Sequence, residues 1–145
     1  MDPVLAEIVE LYPSLNKEQQ KSITTTEGPL LLIAGPGTGK TLVLVLRTLY
    51  LIKTGKALPS EIVLTTFTEK AAFELRDRVS QISRKLKMKE SLHELKIGTI
   101  HSICERFISK NLFYTNLKNN YITLDDLTQY LFIYEHFGDI VGGAR

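Results

Sequence analysis

The stretch Leu30-Leu31-Leu32-Ile33-Ala34-Gly35-Pro36-Gly37-Thr38-Gly39-Lys40-Thr41 constrains this chain more than any other. An unbroken apolar run enters, three glycines at alternate positions turn the backbone, and Lys-Thr opens an apolar helix. Strand, glycine-rich loop and helix in this order are what a phosphate-cradling P-loop requires. Glycine lets successive N–H groups bend toward one point with no Cβ in the way. The helix that follows adds its positive end, which favours an anion. From there Lys40 can reach the β- and γ-phosphates of a nucleotide, and the Thr41 hydroxyl can ligate Mg²⁺. The strict pattern wants glycine six residues before the lysine, and Ala34 stands there instead. The plainer alternative is a glycine-rich turn that only joins a strand to a helix; Gly39-Lys40-Thr41 between both elements argues against it.

The chain has 145 residues, one domain's worth, enough to bury roughly two-thirds of its unfolded surface. Its net charge of +2 is too small to argue for nucleic acid by itself, so that argument rests on where charges and donors fall. A single cysteine, Cys104, excludes an internal disulfide and fits a reducing compartment. Its neighbours Ile103 and Phe107 suggest a small buried side chain rather than a nucleophile. The first twelve residues carry Asp2, Glu7 and Glu10 and no basic residue, unlike a signal peptide, and no apolar run approaches a membrane span. A cytoplasmic protein without a membrane partner is expected.

Taken in order, Val4, Leu5, Ile8, Val9 and Leu11 have helical spacing, closed by Pro13. A short second helix is expected to run through Ile23, with Asn16 or Ser14 as its N-cap. The helix from Thr41 to about Ile52 is apolar nearly all round, which demands burial on more than one side. Ile62–Thr66 reads as a second strand, followed by Phe67-Thr68-Glu69-Lys70 and a long helix with Ala71, Ala72, Leu75, Val79, Ile82 and Leu86 at the 3.6 period. On that helix Glu74 and Arg78 are spaced for an i,i+4 pair on the outer face. Leu95–Thr99 reads as a third strand running into Ile100-His101-Ser102 and a further helix to about Ser109. Three strand-to-helix units in succession imply a parallel sheet. The loops at Gly35–Thr41, Thr66–Lys70 and Thr99–Ser102 all fall at the carboxyl ends of its strands, where ligands gather. From Asn111 the pattern changes. Asn111, Asn116, Asn119 and Asn120 punctuate a loop, and Thr123-Leu124-Asp125-Asp126 begins a helix with Leu127, Tyr130, Leu131, Tyr134 and Phe137 at helical spacing. Gly138, Gly142 and Gly143 are expected to end the chain loosely.

Leu15-Asn16-x-x-Gln19, Ala34-Gly-x-Gly-Thr-Gly-Lys-Thr41 and Thr66-Phe-Thr-x-Lys-Ala-Ala72 stand in one order, and Gly98-Thr99-Ile100-His101-Ser102 follows them. Together they resemble the motifs of UvrD/Rep/PcrA-type DNA helicases over residues 14–110. Ala34 is usual in that family. The resemblance implies an α/β fold, a parallel-sheet P-loop NTPase (RecA-like) core with helices on both faces, incomplete here, plus a mostly helical C-terminal segment. It implies ATP and Mg²⁺ as cofactors, held by Gln19, Ala34, Gly35, Pro36, Gly37, Thr38, Gly39, Lys40 and Thr41. Lys40 and Thr41 would be the catalytic residues and Thr41 the Mg²⁺ ligand. Gln19 would read the adenine edge, since a carboxamide can pair with N6 and N7 together. The partner implied is single-stranded DNA or a single-strand/duplex junction. Phe67 would stack on a base, while Thr66, Thr68, Lys70, Thr99, His101 and Ser102 would hold the strand's phosphates. Residue chemistry alone leaves other roles open: a core phenylalanine at 67, a structural histidine at 101, and a loop-fixing lysine at 70.

Three positions depart from the family pattern. Glu69 stands where Asn is common, Ile100 where Phe is usual, and Leu42 where many relatives carry Arg after the P-loop threonine. A motor of this kind also needs an acidic pair at the end of a further strand, and Tyr121–Asp126 is the only stretch resembling one. Thr123 and Asp125 there serve better as a helix cap. No second RecA-like domain follows, so the arginines it would lend, worth about 10³–10⁵ in rate in related enzymes, are missing. The expected organisation is residues 1–110 as the N-terminal half of a first RecA-like domain and 111–145 as the start of an inserted helical subdomain. Such a piece is expected to bind ATP as part of a translocating helicase and to turn over little or none alone. Two other classes compete: a free-standing nucleotide- or DNA-binding module, and a P-loop small-molecule kinase. The kinase needs arginine-rich acceptor and lid segments, yet residues 112–145 hold one arginine, Arg145.

Overall fold

The structure, a computed structural model, describes residues 2–118 and 120–142; Asn119, Gly143 and Arg145 lie outside the described residues, as does the side chain of Asp126. The chain divides into two compact units, Met1–Phe107 and Ile108–Arg145.

In the first unit Asp2 caps α1 (Pro3–Leu11), accepting from the Val4 and Leu5 amides at 2.8 and 3.3 Å. α2 (Lys17–Thr24) begins at Asn16, one of the two N-caps expected from sequence. α3 (Lys40–Lys53) buries Val43, Val45, Leu46, Thr48, Leu49, Tyr50 and Ile52, so its apolar pattern does wrap more than one face. A 3₁₀ turn (Pro59–Glu61) leads into β1 (Val63–Thr66), α4 (Glu69–Lys85), β2 (Lys96–Thr99) and α5 (Ile100–Lys110). β1 and β2 pair in parallel, with Val63 opposite Lys96 and Thr66 opposite Thr99. One βαβ unit is therefore formed as expected, with α4 packed on both strands and α3 packed on α4. Ile8, Leu15, Ile23, Leu46, Leu49, Leu75, Val79 and Ile97 lie in one hydrophobic core.

Polar stitches bind the helices at its rim. Lys53 donates to the Glu7 carboxylate at 2.6 Å and to the Leu86 carbonyl at 2.6 Å, joining α1, α3 and the end of α4. Arg47 donates to the carbonyls of Ser22 (2.7 Å) and Thr25, covering acceptors that the end of α2 leaves without helical partners. β2 is protected similarly. The Lys96 amide donates to Ile62 O, so Ile97 turns its backbone groups to the opposite edge, where Arg76 donates to its carbonyl. A charged side chain on a strand edge discourages further pairing.

Several expectations are corrected. Residues 30–33 are not a strand: no strand among the described residues lies beside them, and Leu31 and Ile33 are more than four-fifths exposed. Apolar composition favours a strand, but only a neighbouring ladder satisfies its backbone groups. The sheet thus has two strands among the described residues, not three. Glu74 and Arg78 form no ion pair with each other, whereas Lys53–Glu7 and Lys56–Glu27 do pair. Cys104 is exposed, because α5 buries none of its residues. α4 ends in a Schellman turn with Lys87 at φ 47, where the Met88 amide donates to Ser83 O.

In the second unit a 3₁₀ turn (Leu112–Tyr114) precedes α6 (Asp126–Glu135) and α7 (Phe137–Gly142). Asp125 caps α6 through the Thr128 amide at 2.8 Å, as the sequence suggested, and the Thr128 donors hold its carboxyl below the usual range. Thr123-Leu124-Asp125 is therefore a helix start and not a strand end. The chain does not run out loosely at Gly138 and Gly142, both of which lie in α7. α6 exposes its whole apolar surface, Leu127, Tyr130, Leu131 and Tyr134 included. No helix among the described residues is long and apolar enough to cross a membrane.

Candidate functional site

The glycine-rich loop is built from short local bonds. Gly37 (φ 74) and Gly39 (φ 81) both occupy the left-handed region, where only glycine is unstrained, and Gly39 is the N-cap of α3. The Thr38 hydroxyl donates to Gly35 O at 2.7 Å. Lys40 Nζ folds over the loop and donates to Ala34 O (2.9 Å) and Gly35 O (2.6 Å). Gln19 closes the far side, donating from Nε2 to Thr38 O at 3.1 Å. Its Oε1 accepts from the Asn16 amide, and its own amide donates to Asn16 Oδ1, both at 2.9 Å. This reciprocal capping box fixes the first turn of α2 and aims Gln19 at the loop. A Cβ on Gly39 would lie 3.4 Å from Gln19 Nε2, so the two elements meet there. Gln19, Ala34, Gly35, Pro36, Gly37, Thr38, Gly39, Lys40 and Thr41 are thus one cluster. One hydrogen and one lone pair of the Gln19 carboxamide are used by Thr38 O and the Asn16 amide, which leaves one donor and one acceptor.

The other two loops are set by the strand pair. Thr66 and Thr99 are partners in register, so the loops that follow β1 and β2 leave side by side. Phe67 is 98% exposed, so it has no part in the core that these residues form. Lys70 and His101 are exposed as well. The hydroxyls differ. Thr66 donates to Thr68 O (3.0 Å), Thr68 caps α4 by accepting from the Ala71 amide (3.1 Å), and Ser102 donates to Thr99 O (3.1 Å). Thr99 donates to Glu69 Oε1 at 2.9 Å and accepts from the Ser102 amide at 3.2 Å. Gly98 permits this packing: a Cβ there would lie 2.6 Å from Ser102 Oγ.

Thr41 and Thr66 line one cleft of about 150 Å³ with Leu44, Ala71, Glu74, Leu75 and Arg78, so the glycine-rich loop and the β1 loop share a face. Glu74 and Arg78, expected on the outside, line this cleft. A larger cleft of about 520 Å³, on the side of α4 that carries Arg76 and Ser80, contains none of the expected site residues. Among the described residues no three acidic, histidine or cysteine side chains converge on a metal position. Thr41 offers a hydroxyl beside the loop, which suits an ion that keeps most ligands as water and phosphate. Sequence reasoning missed Arg47, which fixes α2 and hence Gln19 against α3. Its signal was present: it is the one charge between Thr41 and Ile52 in an otherwise apolar helix.

Residues 15–141 match the family described as UvrD/REP helicase N-terminal domain. The chain is 38% identical over 120 residues to the ATP-dependent DNA helicase PcrA of Bacillus subtilis, covering 83% of this chain and 16% of that protein. It is 43% identical over 112 residues to a probable DNA helicase II homolog of Rickettsia conorii, covering 77% and 16%. It is 37% identical over 120 residues to the ATP-dependent DNA helicase Rep of Buchnera aphidicola, covering 83% and 18%. The chain belongs to the UvrD/Rep helicase family, as its N-terminal domain. It spans about a sixth of the length of these relatives.

Proposed function

We propose that this chain is the ATP-binding opening portion of an ATP-dependent DNA helicase that moves along single-stranded DNA. The observation that carries the reading is the meeting of three loops: Thr41 and Thr66 line one cleft, and Thr66 and Thr99 are paired across the sheet. A nucleotide held by the first loop is thereby joined through a few bonds to a surface carrying an exposed aromatic ring and two exposed basic side chains. In this reading Ala34–Thr41 cradle the phosphates of ATP, and Lys40 exchanges the Ala34 and Gly35 carbonyls for phosphate oxygens. Gln19 meets the adenine with the hydrogen and lone pair that its protein partners leave free. Mg²⁺, when bound, would neutralise phosphate charge beside the Thr41 hydroxyl. Phe67 stacks on a base, and Thr66, Thr68, Lys70, Thr99, His101 and Ser102 line the strand's path. The larger architecture is a RecA-like P-loop core with helices on both faces, incomplete in residues 1–110, with 111–145 opening an inserted subdomain. A second RecA-like domain and its arginines complete the site in the longer protein, which works in the cytoplasm on single strands or junctions.

Binding of Mg-ATP and of a labelled single-stranded oligonucleotide tests this by double dissociation. Lys40→Ala weakens the first and spares the second, whereas Phe67→Ala does the reverse, since base stacking contributes about 1–3 kcal/mol. Loss of neither by its variant would break the assignment. These 145 residues alone show no DNA-stimulated ATP turnover; hydrolysis at about 1 s⁻¹ or faster, in the range of complete phosphoryl-transfer enzymes, would overturn that part.

A further inference from the structure

We propose that Glu69 is an affinity-setting residue of the DNA surface, a brake that withholds the Thr99 hydroxyl from the strand's phosphates; this rests on the reading of that surface as the DNA track. Glu69 opens α4 directly after Phe67 and Thr68, and Oε1 accepts the Thr99 proton at 2.9 Å. The Thr99 oxygen accepts from the Ser102 amide, so both capacities of this hydroxyl are in use. Thr66 and Ser102 likewise give their protons to the Thr68 and Thr99 carbonyls. Of the hydroxyls facing this surface, Thr99 alone is committed to a carboxylate, and that carboxylate is itself exposed.

A phosphate arriving at Thr99 must take the proton from Glu69 and then sit beside a like charge. Water and salt screen such repulsion but do not remove it at contact distance. Phosphates are therefore directed away from Thr99 and toward the exposed cations of Lys70 and, when protonated, His101. Glu69 binds the two loops together and at the same time lowers their grip on an anionic strand. The helix N-terminus attracts the carboxylate there, which helps to hold it in place.

The test is fluorescence anisotropy of a labelled oligothymidylate with the native chain, Glu69→Gln, Glu69→Ala, Glu69→Ala/Thr99→Val and Phe67→Ala. Glu69→Gln tightens binding about threefold at low salt, the size of one exposed charge interaction, with the gain shrinking as salt rises. Glu69→Ala tightens it further, because the hydroxyl is released, and adding Thr99→Val removes that extra gain. Unchanged or weaker binding by both Glu69 variants overturns the brake. A Glu69→Ala gain that survives Thr99→Val overturns the part played by Thr99. If Phe67→Ala weakens binding while the Glu69 variants match native, only this inference fails. If Phe67→Ala has no effect, or no form binds, the DNA track itself is misplaced and the brake falls with it.

Discussion

The half of the first unit that carries the glycine-rich loop and the half that carries the strand pair are held by different means. In residues 2–58, three helices pack together and single side chains clip the joints: Asp2 to Tyr50, Glu7 to Lys53, Arg47 to the end of α2, and Gln19 to the loop. In residues 59–107 a parallel ladder fixes the register, and the working loops inherit their positions from it. Side-chain clips can be exchanged one at a time for a ligand's atoms. A ladder moves as a whole. In the function proposed above, the first half closes on a nucleotide and the second presents a fixed surface to a strand.

The largest expected effect strikes the clip that must be exchanged. Lys40→Ala loses a charge-assisted hydrogen bond to phosphate worth about 1.5–3 kcal/mol, which is about 10- to 100-fold in ATP affinity. Because Lys40 also bridges Ala34 O and Gly35 O, a cost in stability accompanies it, read by denaturant titration. Equal ATP affinity in the variant would show that the lysine serves the loop alone. Next comes the ladder half. Gly98→Ala places a Cβ 2.6 Å from Ser102 Oγ, displacing a side chain held between β2 and α5. Crowding of this kind costs about 1–3 kcal/mol, and here it disturbs the two loops together. Reduced DNA binding with unchanged ATP binding would sharpen the distinction between the halves; loss of both would erase it.

What the sequence could and could not reveal divides along the same line. The Asn16 cap, the Asp125 cap, the spans of α1 to α5 and the buried stripe of α4 are local, and residue pattern was enough to find them. β1 and β2 were also legible, because a long amphipathic helix between two short apolar runs leaves few alternatives to a βαβ unit. Residues 30–33 were misread since a strand depends on a neighbour that its own residues do not encode. α3 and α6 teach the same lesson: both are apolar on all sides, yet one is buried and the other exposed. Pattern states a demand for burial without naming what meets it. Among the site residues, the glycine conformations followed from type and position, whereas residue chemistry alone left Phe67 open between core and surface. The commitment of Thr66, Thr99 and Ser102 to partners inside the protein did not, since a hydroxyl's partner is set by packing. The same holds for Glu74 and Arg78, whose i,i+4 spacing permits a pair that the structure does not form.

A smaller effect sharpens the first half. Asn16→Ala removes a cap whose loss costs about 1 kcal/mol of stability. It also loosens the turn that aims Gln19, so ATP affinity should fall more than that for GTP if Gln19 reads adenine. An equal fall for both nucleotides would mean that the cap acts on the fold and not on base selection.

The smallest effect concerns pH. The Tyr50 hydroxyl donates to Asp2 Oδ2 at 2.7 Å, and the amides of Val4 and Leu5 donate to the same carboxylate. These donors, Tyr50 foremost, hold the Asp2 pKa below its ordinary value, and the same contact with Asp2 raises that of Tyr50. A depressed carboxyl binds protons more readily in the unfolded chain, so its contribution is present above the unfolded pKa and fades as pH falls through the folded one. Tyr50 behaves oppositely: its contribution is complete below the unfolded phenol's pKa and fades as pH rises through its raised value. The clip between α1 and α3 therefore works across the neutral range and weakens at both extremes. Asp2→Asn should flatten the acid side of the native chain's thermal-unfolding profile, and Tyr50→Phe both sides, by small amounts because Asp2 is accessible to water. Profiles identical to native in both variants would mean that helix packing and the Glu7–Lys53 pair join α1 to α3 without help from Asp2 and Tyr50, and the contrast between clipped and laddered halves would then rest on the remaining clips.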